Sequence, residues 1–278
     1  MRYPLPPSQI AIGHQDFVDL AAIAEVIVDR SGGTVEQLTA RLGTILRSAI
    51  DLVVATPKTS RKTLDELEKT EKTYLGTRVE IELRAMLKLP KGRLDLRIDA
   101  HDVDVKFTIG GNWMIPSEAV DAICIVIAAD ESAERCFLGV IRARPAYLTG
   151  GGNRDGKKSI SAAGFPHILW LVGGEPYPAN FWKSVDARRI ERIFAAGAGS
   201  ARLVSLFSEI QDRPIPRSVV EDVAQQLDYM KRLRRNGGAR DALEAAGILL
   251  LSGKYDGQQI EQLGLPICGP TEFVSTRR

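Results

Sequence analysis

The first third of the chain carries apolar residues at the spacing of a helix. Residues 16–30 form an apolar segment, and leucines and isoleucines recur three or four positions apart across residues 35–53. This spacing predicts two helices, each with one buried face. A third helix is predicted over residues 77–88 and ends before Pro90, because proline cannot continue a helix. The N-terminal part is therefore expected to be mainly helical.

The hydrophobic period changes after this helical part. Residues 94–99 and 102–107 alternate strictly between apolar and polar side chains, as in strands with one buried face. Residues 122–129 and 136–142 are continuous apolar runs of strand length, and a last apolar run covers 167–172. Helices followed by a strand-dense stretch indicate an α/β fold with a mixed sheet flanked by helices.

A stretch rich in proline and glycine, residues 173–178, separates the strand-dense part from a mostly helical second half. Such a change in composition is typical of a domain boundary. We expect a first domain at 1–176 and a second, mainly helical domain at 177–278.

In the second half, a capping box at Ser218–Glu221 predicts the start of a helix that ends at Gly237-Gly238. Another helix is expected over about 239–246, followed by an apolar strand from Ile248. A helix, a short glycine turn, a second helix and a strand are compatible with a helix-turn-helix or winged-helix module.

The two alternating segments predict a hairpin with a polar face. A two-residue turn at 100–101 pairs Arg97 with Asp104 and Asp95 with Lys106. Asp95 and Asp104 then become diagonal neighbours, roughly 7–8 Å apart at the backbone, and their carboxylates can converge.

Two carboxylates beside a lysine suit the hydrolysis of a phosphodiester. Mg²⁺ prefers oxygen ligands and uses one or two carboxylates together with water. The lysine can position or deprotonate the attacking water, or stabilise charge on a phosphate. The alternative is an amphipathic hairpin exposed to solvent, whose acids and bases form surface ion pairs.

The spacing of Asp95 and Asp104-Val-Lys106 resembles the PD-(D/E)xK nuclease motif, although Leu94 replaces its proline. The preceding segment, Thr70–Glu80, resembles the one that carries a helix glutamate in the MutH and NaeI branch of that superfamily. In particular, the sequence resembles the NaeI family of type II restriction endonucleases, and this resemblance covers most of the chain.

This resemblance implies a role for each motif residue. Asp95 and Asp104 would bind the catalytic Mg²⁺, Lys106 would act on the water nucleophile, and Glu80 would be the supporting acid on the helix. Glu82 is the alternative to Glu80 if the helix register differs. The resemblance also implies a restriction-endonuclease-like sheet core and a second DNA-binding domain that binds an activating copy of the site.

Two basic segments are candidates for contact with DNA phosphates. The first lies in the glycine-rich stretch of the nuclease-like half and contains Arg154, Lys157 and Lys158. The second lies near a predicted helix end and contains Lys231, Arg232, Arg234 and Arg235. A mobile surface loop and compensation of the helix dipole are the respective alternatives.

Composition narrows the class of protein further. The 44% apolar and 26% charged residues are typical of a globular chain. The net charge of +2 does not indicate a particular class of binding partner. The apolar run at 122–129 is too short to span a membrane. The three cysteines are far apart, which disfavours a disulfide framework or a zinc site. Since the N-terminus lacks a signal-peptide pattern, we expect a cytoplasmic protein.

These features together predict a Mg²⁺-dependent, site-specific endonuclease for double-stranded DNA that leaves a 5′-phosphate. A homodimer is expected because a two-fold symmetric site requires two active centres. A cognate DNA methyltransferase is expected as a genetic partner, not a physical one. The alternatives are a MutH-like nicking repair endonuclease and a DNA-binding regulator whose hairpin acids are inert.

Overall fold

A computed structural model of the chain describes residues 9–226 and 228–277. The helices are Phe17–Arg30 (α1), Val35–Val54 (α2), Thr56–Thr59 (α3), Lys69–Leu87 (α4), Ala187–Ala195 (α5), Ser200–Glu209 (α6), Arg217–Ala224 (α7), Tyr229–Arg232 (α8), Ala239–Ala245 (α9) and Gly257–Gln262 (α10). The strands are Leu96–Ile98 (β1), His101–Thr108 (β2), Met114–Ile115 (β3), Ile123–Asp130 (β4), Arg135–Arg142 (β5), Lys158–Ser159 (β6), Leu169–Pro176 (β7), Ile215–Pro216 (β8), Ile248–Ser252 (β9) and Glu272–Arg277 (β10).

The described chain forms two compact units. The first contains the residues up to Val54 together with Thr63–Ala179, and the second contains Ala55–Lys62 together with the residues from Asn180 onward. Lys62 Nζ donates to the Val185 carbonyl at 2.7 Å, and Asn180 Nδ2 donates to the Lys62 carbonyl at 2.8 Å. The short segment 55–62, which lies inside the domain expected at 1–176, is thus built into the second unit.

The first unit is a mixed sheet with helices, as the sequence predicts. Its strand order is β1-β2-β4-β5-β7, with β2 and β4 parallel and the other neighbours antiparallel. Apolar residues of α1, α2 and α4 cover one face, where Val103 and Val105 of β2 are buried. The other face carries a second apolar cluster that includes Trp113, Phe137 and Trp170. The sheet is therefore buried on both sides, which explains the continuous apolar runs of β4 and β5.

Helix α4 begins earlier than the sequence pattern indicates. The predicted helix over 77–88 treats Gly76 as an interruption, but α4 runs from Lys69 to Leu87. A capping box at Glu68 and Glu71 starts the helix, and the Glu71 carboxylate accepts from the Glu68 amide at 2.9 Å. Gly76 faces open space, so the helix continues through it at a modest entropic cost.

The hairpin register also differs from the prediction. Arg97 pairs with Asp102 instead of Asp104, so the turn lies at 99–100 and not at 100–101. Asp99 adopts a positive φ of 50°, which aspartate tolerates in turns. A shift of two residues keeps every side chain on its expected face. The site residues therefore stay on one side of the hairpin although the predicted pairs are wrong.

The second unit combines helices with a three-stranded antiparallel sheet of order β8-β10-β9. The continuous helix predicted from the capping box at Ser218 is wrong. Helix α7 starts after Pro216 and ends at Ala224, because the next residue, Gln225, has a φ of +49°. Tyr229 and Leu233, beyond this break, are both buried in the core of the unit. Leu227, which the predicted helix would include, lies outside the described residues. The expected elements at 239–246 and from Ile248 are present as α9 and β9.

None of the helices in the described ranges combines the length and the apolar character that crossing a bilayer requires.

Gly76→Ala should stabilise the protein. Nothing lies within 4 Å of a Cβ added there, and alanine in a helix interior is favoured over glycine by about 0.5–1 kcal/mol. Urea denaturation followed by circular dichroism measures the change. Gly139→Ala is the matched control, because its Cβ would lie 2.5 Å from Ile168 Cγ2 and should destabilise the same unit. A loss of stability in Gly76→Ala would contradict an open helix face.

Candidate active site

Strand β2 brings an acid and a lysine to one sheet face in the middle of the first unit. Asp104 and Lys106 are two positions apart and so project to the same side of the strand. Asp104 is only 3% exposed, whereas Lys106 is half-buried. The Lys106 ammonium lies 2.7 Å from the Asp104 carboxylate and also donates to the Val105 carbonyl at 3.0 Å. Lys106 thus compensates the charge of a buried acid.

Asp95 joins this pair from the segment just before β1. Its Oδ2 accepts a hydrogen bond from the Val105 amide at 2.7 Å, which ties it to the middle of β2. The same oxygen lies 3.7 Å from Lys106 Nζ. The structure therefore brings Asp95, Asp104 and Lys106 together, although the predicted pairing of Asp95 with Lys106 is replaced by a different register.

Of the two candidate acids of α4, Glu80 is the one linked to this cluster. Arg84 Nη1 donates to Glu80 Oε1 at 3.1 Å and to the Asp95 carbonyl at 3.3 Å. Glu82 pairs instead with Arg78 at 2.5 Å. Two positions along a helix correspond to about 200° of rotation, so the two acids project to opposite sides of α4.

The electrostatics of the site reflect buried acids gathered in one place. Burial is the main reason that the pKa of Asp104 is raised to about 6. The positive charge of Lys106 opposes this rise, and the negative charge of Asp95 contributes to it. Burial and then the charge of Asp95 also raise the pKa of Glu80. Asp104 Oδ2 is buried without a hydrogen bond of good geometry despite the nearby ammonium. A buried acid left in this state is typical of a functional site.

These residues fit a hard divalent cation. Asp95 and Asp104 supply carboxylate oxygens, and Asp104 Oδ2 retains the capacity to accept a ligand bond. Within residues 9–226 and 228–277, no group of three or more His, Cys, Asp or Glu side chains is arranged to hold a metal ion. Two carboxylates are nevertheless enough for Mg²⁺, which keeps several waters, whereas Zn²⁺ at a structural site takes four protein ligands.

Two comparisons with known proteins identify the family of this chain. The family model described as restriction endonuclease NaeI matches residues 36–278. The type II restriction enzyme NaeI of Lentzea aerocolonigenes is 34% identical over 248 residues, which covers 85% of this chain and 78% of that enzyme. The chain belongs to the restriction endonuclease NaeI family. This membership confirms the predicted family and the predicted class of enzyme, a type II site-specific deoxyribonuclease.

In this NaeI-family chain, the first basic segment lies in a hydrogen-bonded turn. Asn153 Oδ1 accepts from the Lys157 amide at 2.9 Å, and the Asn153 amide donates to the Lys157 carbonyl at 2.8 Å. Arg154 and Lys157 are exposed, whereas Lys158 is half-buried in β6, where it pairs with Ile115. The turn therefore presents two of its three cations to solvent.

The second basic segment is partly engaged by neighbouring residues. Lys231 pairs with Asp228 at 2.6 Å, and Arg232 Nε donates to Gln226 Oε1 at 2.6 Å. Arg234 and Arg235 are exposed in the segment between α8 and α9. The ion pair between Asp228 and Lys231 was not predicted from the sequence, because the basic segment was considered without the acid that precedes it.

Two residues of the site were missed by sequence reasoning. Arg84 contacts both Glu80 and Asp95, but an arginine four residues from a glutamate is also present at Arg78 and Glu82 and so gives no specific signal. Cys124, on β4, lies next to Asp104 of β2 in the register of the two parallel strands. Burial raises the pKa of the Cys124 thiol. Its position depends on the parallel pairing of β2 and β4, which local sequence does not reveal.

Asp104→Asn should abolish cleavage while increasing stability in the absence of metal. At pH 7 the wild-type carboxylate is ionised although burial raises its pKa to about 6, so its charge costs free energy in the folded state. A neutral isostere removes this cost, and we expect an increase on the order of 1 kcal/mol in the free energy of unfolding. Urea denaturation at pH 7 in EDTA measures it.

The sign of the pH dependence provides the control. A raised folded pKa means that Asp104 favours folding less as the pH rises through about 6, so the difference between Asp104→Asn and wild type should shrink at pH 5. An equal difference at pH 5 and pH 7 would count against an ionised, unfavourably buried Asp104.

Proposed function

We propose that this member of the NaeI family hydrolyses phosphodiester bonds at specific sites in duplex DNA with Mg²⁺ and leaves a 5′-phosphate. The observation that carries the proposal is the arrangement of Lys106 Nζ at 2.7 Å from the Asp104 carboxylate and 3.7 Å from Asp95 Oδ2. Family membership supports the class of reaction. Family membership also disfavours the alternative of a non-catalytic DNA-binding regulator. Such a regulator has no need of a lysine beside two neighbouring acids.

Each residue of the cluster has a distinct role in this proposal. Asp95 and Asp104 hold the cation, which when bound stabilises negative charge on the phosphate and lowers the pKa of a water molecule. Lys106, half-buried and adjacent to both acids, orients the attacking water and offsets the charge that develops on the phosphate. Glu80 is the supporting acid, held by Arg84 on the side of Asp95.

The basic segments are proposed as the DNA contacts. Arg154, Lys157 and Lys158 belong to the same unit as the catalytic cluster, and Arg154 and Lys157 are exposed in a turn whose backbone is fixed by Asn153. Cations in such positions neutralise phosphates and release counterions.

The second unit is proposed as a winged-helix module that binds a second, activating DNA site. Its element order supports this architecture: helix α6, strand β8, helices α7 to α9, strand β9, helix α10 and strand β10. A three-stranded sheet with the last strand in the middle also supports it. The exposed Arg234 and Arg235, with Lys231 and Arg232, lie just before α9, the candidate recognition helix. The active form is proposed to be a homodimer, because cutting both strands of a symmetric site requires two catalytic centres.

Lys106→Ala should abolish cleavage without loss of DNA binding. Mixed-sequence plasmid DNA is incubated with the protein in Mg²⁺ or in EDTA, and the products are separated on a gel. We expect discrete fragments with wild type in Mg²⁺ only, and intact plasmid with the variant. Lys91→Ala, which removes an exposed lysine outside the cluster, is the matched control and should cut normally.

The other outcomes separate the alternative functions. Nicked circles without linear fragments would favour the MutH-like nicking enzyme. Binding without cleavage by wild type would favour the regulator, and full activity of Lys106→Ala would refute the proposed catalytic cluster.

Replacing Arg154, Lys157 and Lys158 together by alanine should weaken DNA binding and flatten its salt dependence. Loss of three phosphate contacts should make the slope of log K against log salt less negative by about 2–3. Fluorescence anisotropy in Ca²⁺ at several salt concentrations measures this slope. The control replaces Arg30 and Arg41, which are exposed on the helices over the other face of the sheet, and should leave the slope unchanged. An unchanged slope in the triple variant would exclude this turn as a phosphate contact.

A further inference from the structure

Arg84 connects the two parts of the catalytic cluster that come from different elements. It lies in the last turn of α4, and its Nη1 donates both to Glu80 Oε1 at 3.1 Å and to the Asp95 carbonyl at 3.3 Å. One guanidinium nitrogen thus joins a side chain of the helix to the backbone of the segment before β1. Its side chain is 24% exposed, so the contact is partly shielded from water.

Asp95 needs such a contact because it is not part of a strand ladder. The pairing of β1 with β2 begins at Leu96, one residue later. Asp95 is held through its side chain by the Val105 amide and through its carbonyl by Arg84. Losing the second of these contacts would leave the carboxylate attached to β2 while its backbone is free to shift.

The balance of charges in the cluster also favours a positively charged side chain at position 84. Glu80, Asp95 and Asp104 are three acids in one place, and the charge of Asp95 raises the pKa of both neighbours. Lys106, on β2, compensates the charges of Asp104 and Asp95. Arg84 provides the second positive charge, on the side of the helix.

We propose that Arg84 is a positioning residue of the cleavage reaction, which fixes Glu80 and the Asp95 backbone so that the Asp95 carboxylate stays beside Asp104 and Lys106. This inference rests on the proposed catalytic role of Asp95. The alternative is that Arg84 and Glu80 form an ordinary ion pair between residues four apart on a helix, which contributes only weakly to stability.

The chain offers a matched control for this alternative. Arg78 and Glu82 form the same type of pair on the same helix, with similar exposure. Glu82 lies about 200° around the helix from Glu80. Arg84→Ala and Arg78→Ala therefore remove equivalent helix pairs, and only the first removes a contact with the catalytic segment.

The first measurement needs neither metal nor DNA. Hydrogen exchange of the Val105 amide reports on its bond to Asp95 Oδ2. We expect this amide to exchange at least about tenfold faster in Arg84→Ala than in wild type, and at the wild-type rate in Arg78→Ala. Equal exchange in the two variants would refute the positioning role. Arg84→Lys, which keeps a cation of similar reach, should restore most of the protection and serves if the alanine variant does not fold.

The second measurement is the kinetics of cleavage. A displacement of a catalytic group by about 1 Å can cost about 10²-fold in rate, so kcat should fall by about that factor in Arg84→Ala with KM for DNA nearly unchanged. Arg78→Ala should keep kcat, and Arg84→Lys should recover part of it. An unchanged kcat in Arg84→Ala, or an equal loss in Arg78→Ala, would overturn the proposal.

The two measurements separate this inference from the proposed function. If Lys106→Ala still cuts DNA, the catalytic assignment fails, and the Val105 exchange still decides whether Arg84 positions Asp95. If Lys106→Ala is inactive but exchange at Val105 is the same in Arg84→Ala and Arg78→Ala, the catalytic assignment stands and the positioning role fails.

Discussion

The burial of the Asp104 carboxylate in the middle of a strand is the constraint on which the rest of the site depends. An ionised acid at 3% exposure is unfavourable unless it is compensated, and Lys106, two positions along the same strand, supplies the compensation. The strand period forces this lysine onto the side of Asp104. Because both faces of the sheet are buried, an ionised acid at position 104 requires a neighbouring cation, which is Lys106.

The remaining members of the site are arranged around this pair by contacts with the backbone. Asp95 uses its carboxylate to accept from the Val105 amide, the residue between Asp104 and Lys106. Arg84 uses its guanidinium to join Glu80 to the Asp95 carbonyl. Because backbone groups are fixed by the sheet and the helix, acids that repel each other are held at defined positions.

The side-chain period of two explains why much of the site could be predicted from sequence. Alternation in residues 94–107 places Asp104 and Lys106 on one face, and this result survives the error of two residues in the hairpin turn. The choice between Glu80 and Glu82 could not be made in the same way, since each has an arginine four positions away. Only the packing of α4 next to the segment before β1 distinguishes them. The break at Gln225 was equally invisible, because tertiary packing of Tyr229 and Leu233 overrides a continuous helical pattern.

The segment Ala55–Lys62 has a consequence for how this protein can be divided. Since the chain enters the second unit at 55, leaves it at 62 and returns at 180, neither unit is encoded by one uninterrupted stretch. A gene fragment that starts after residue 176 lacks the Lys62 carbonyl to which Asn180 donates and the ammonium that binds the Val185 carbonyl. Recombination that exchanges the C-terminal half between relatives therefore preserves these bonds only if it carries the short inserted segment as well. The two units of the protein are therefore inherited as one interleaved piece of sequence.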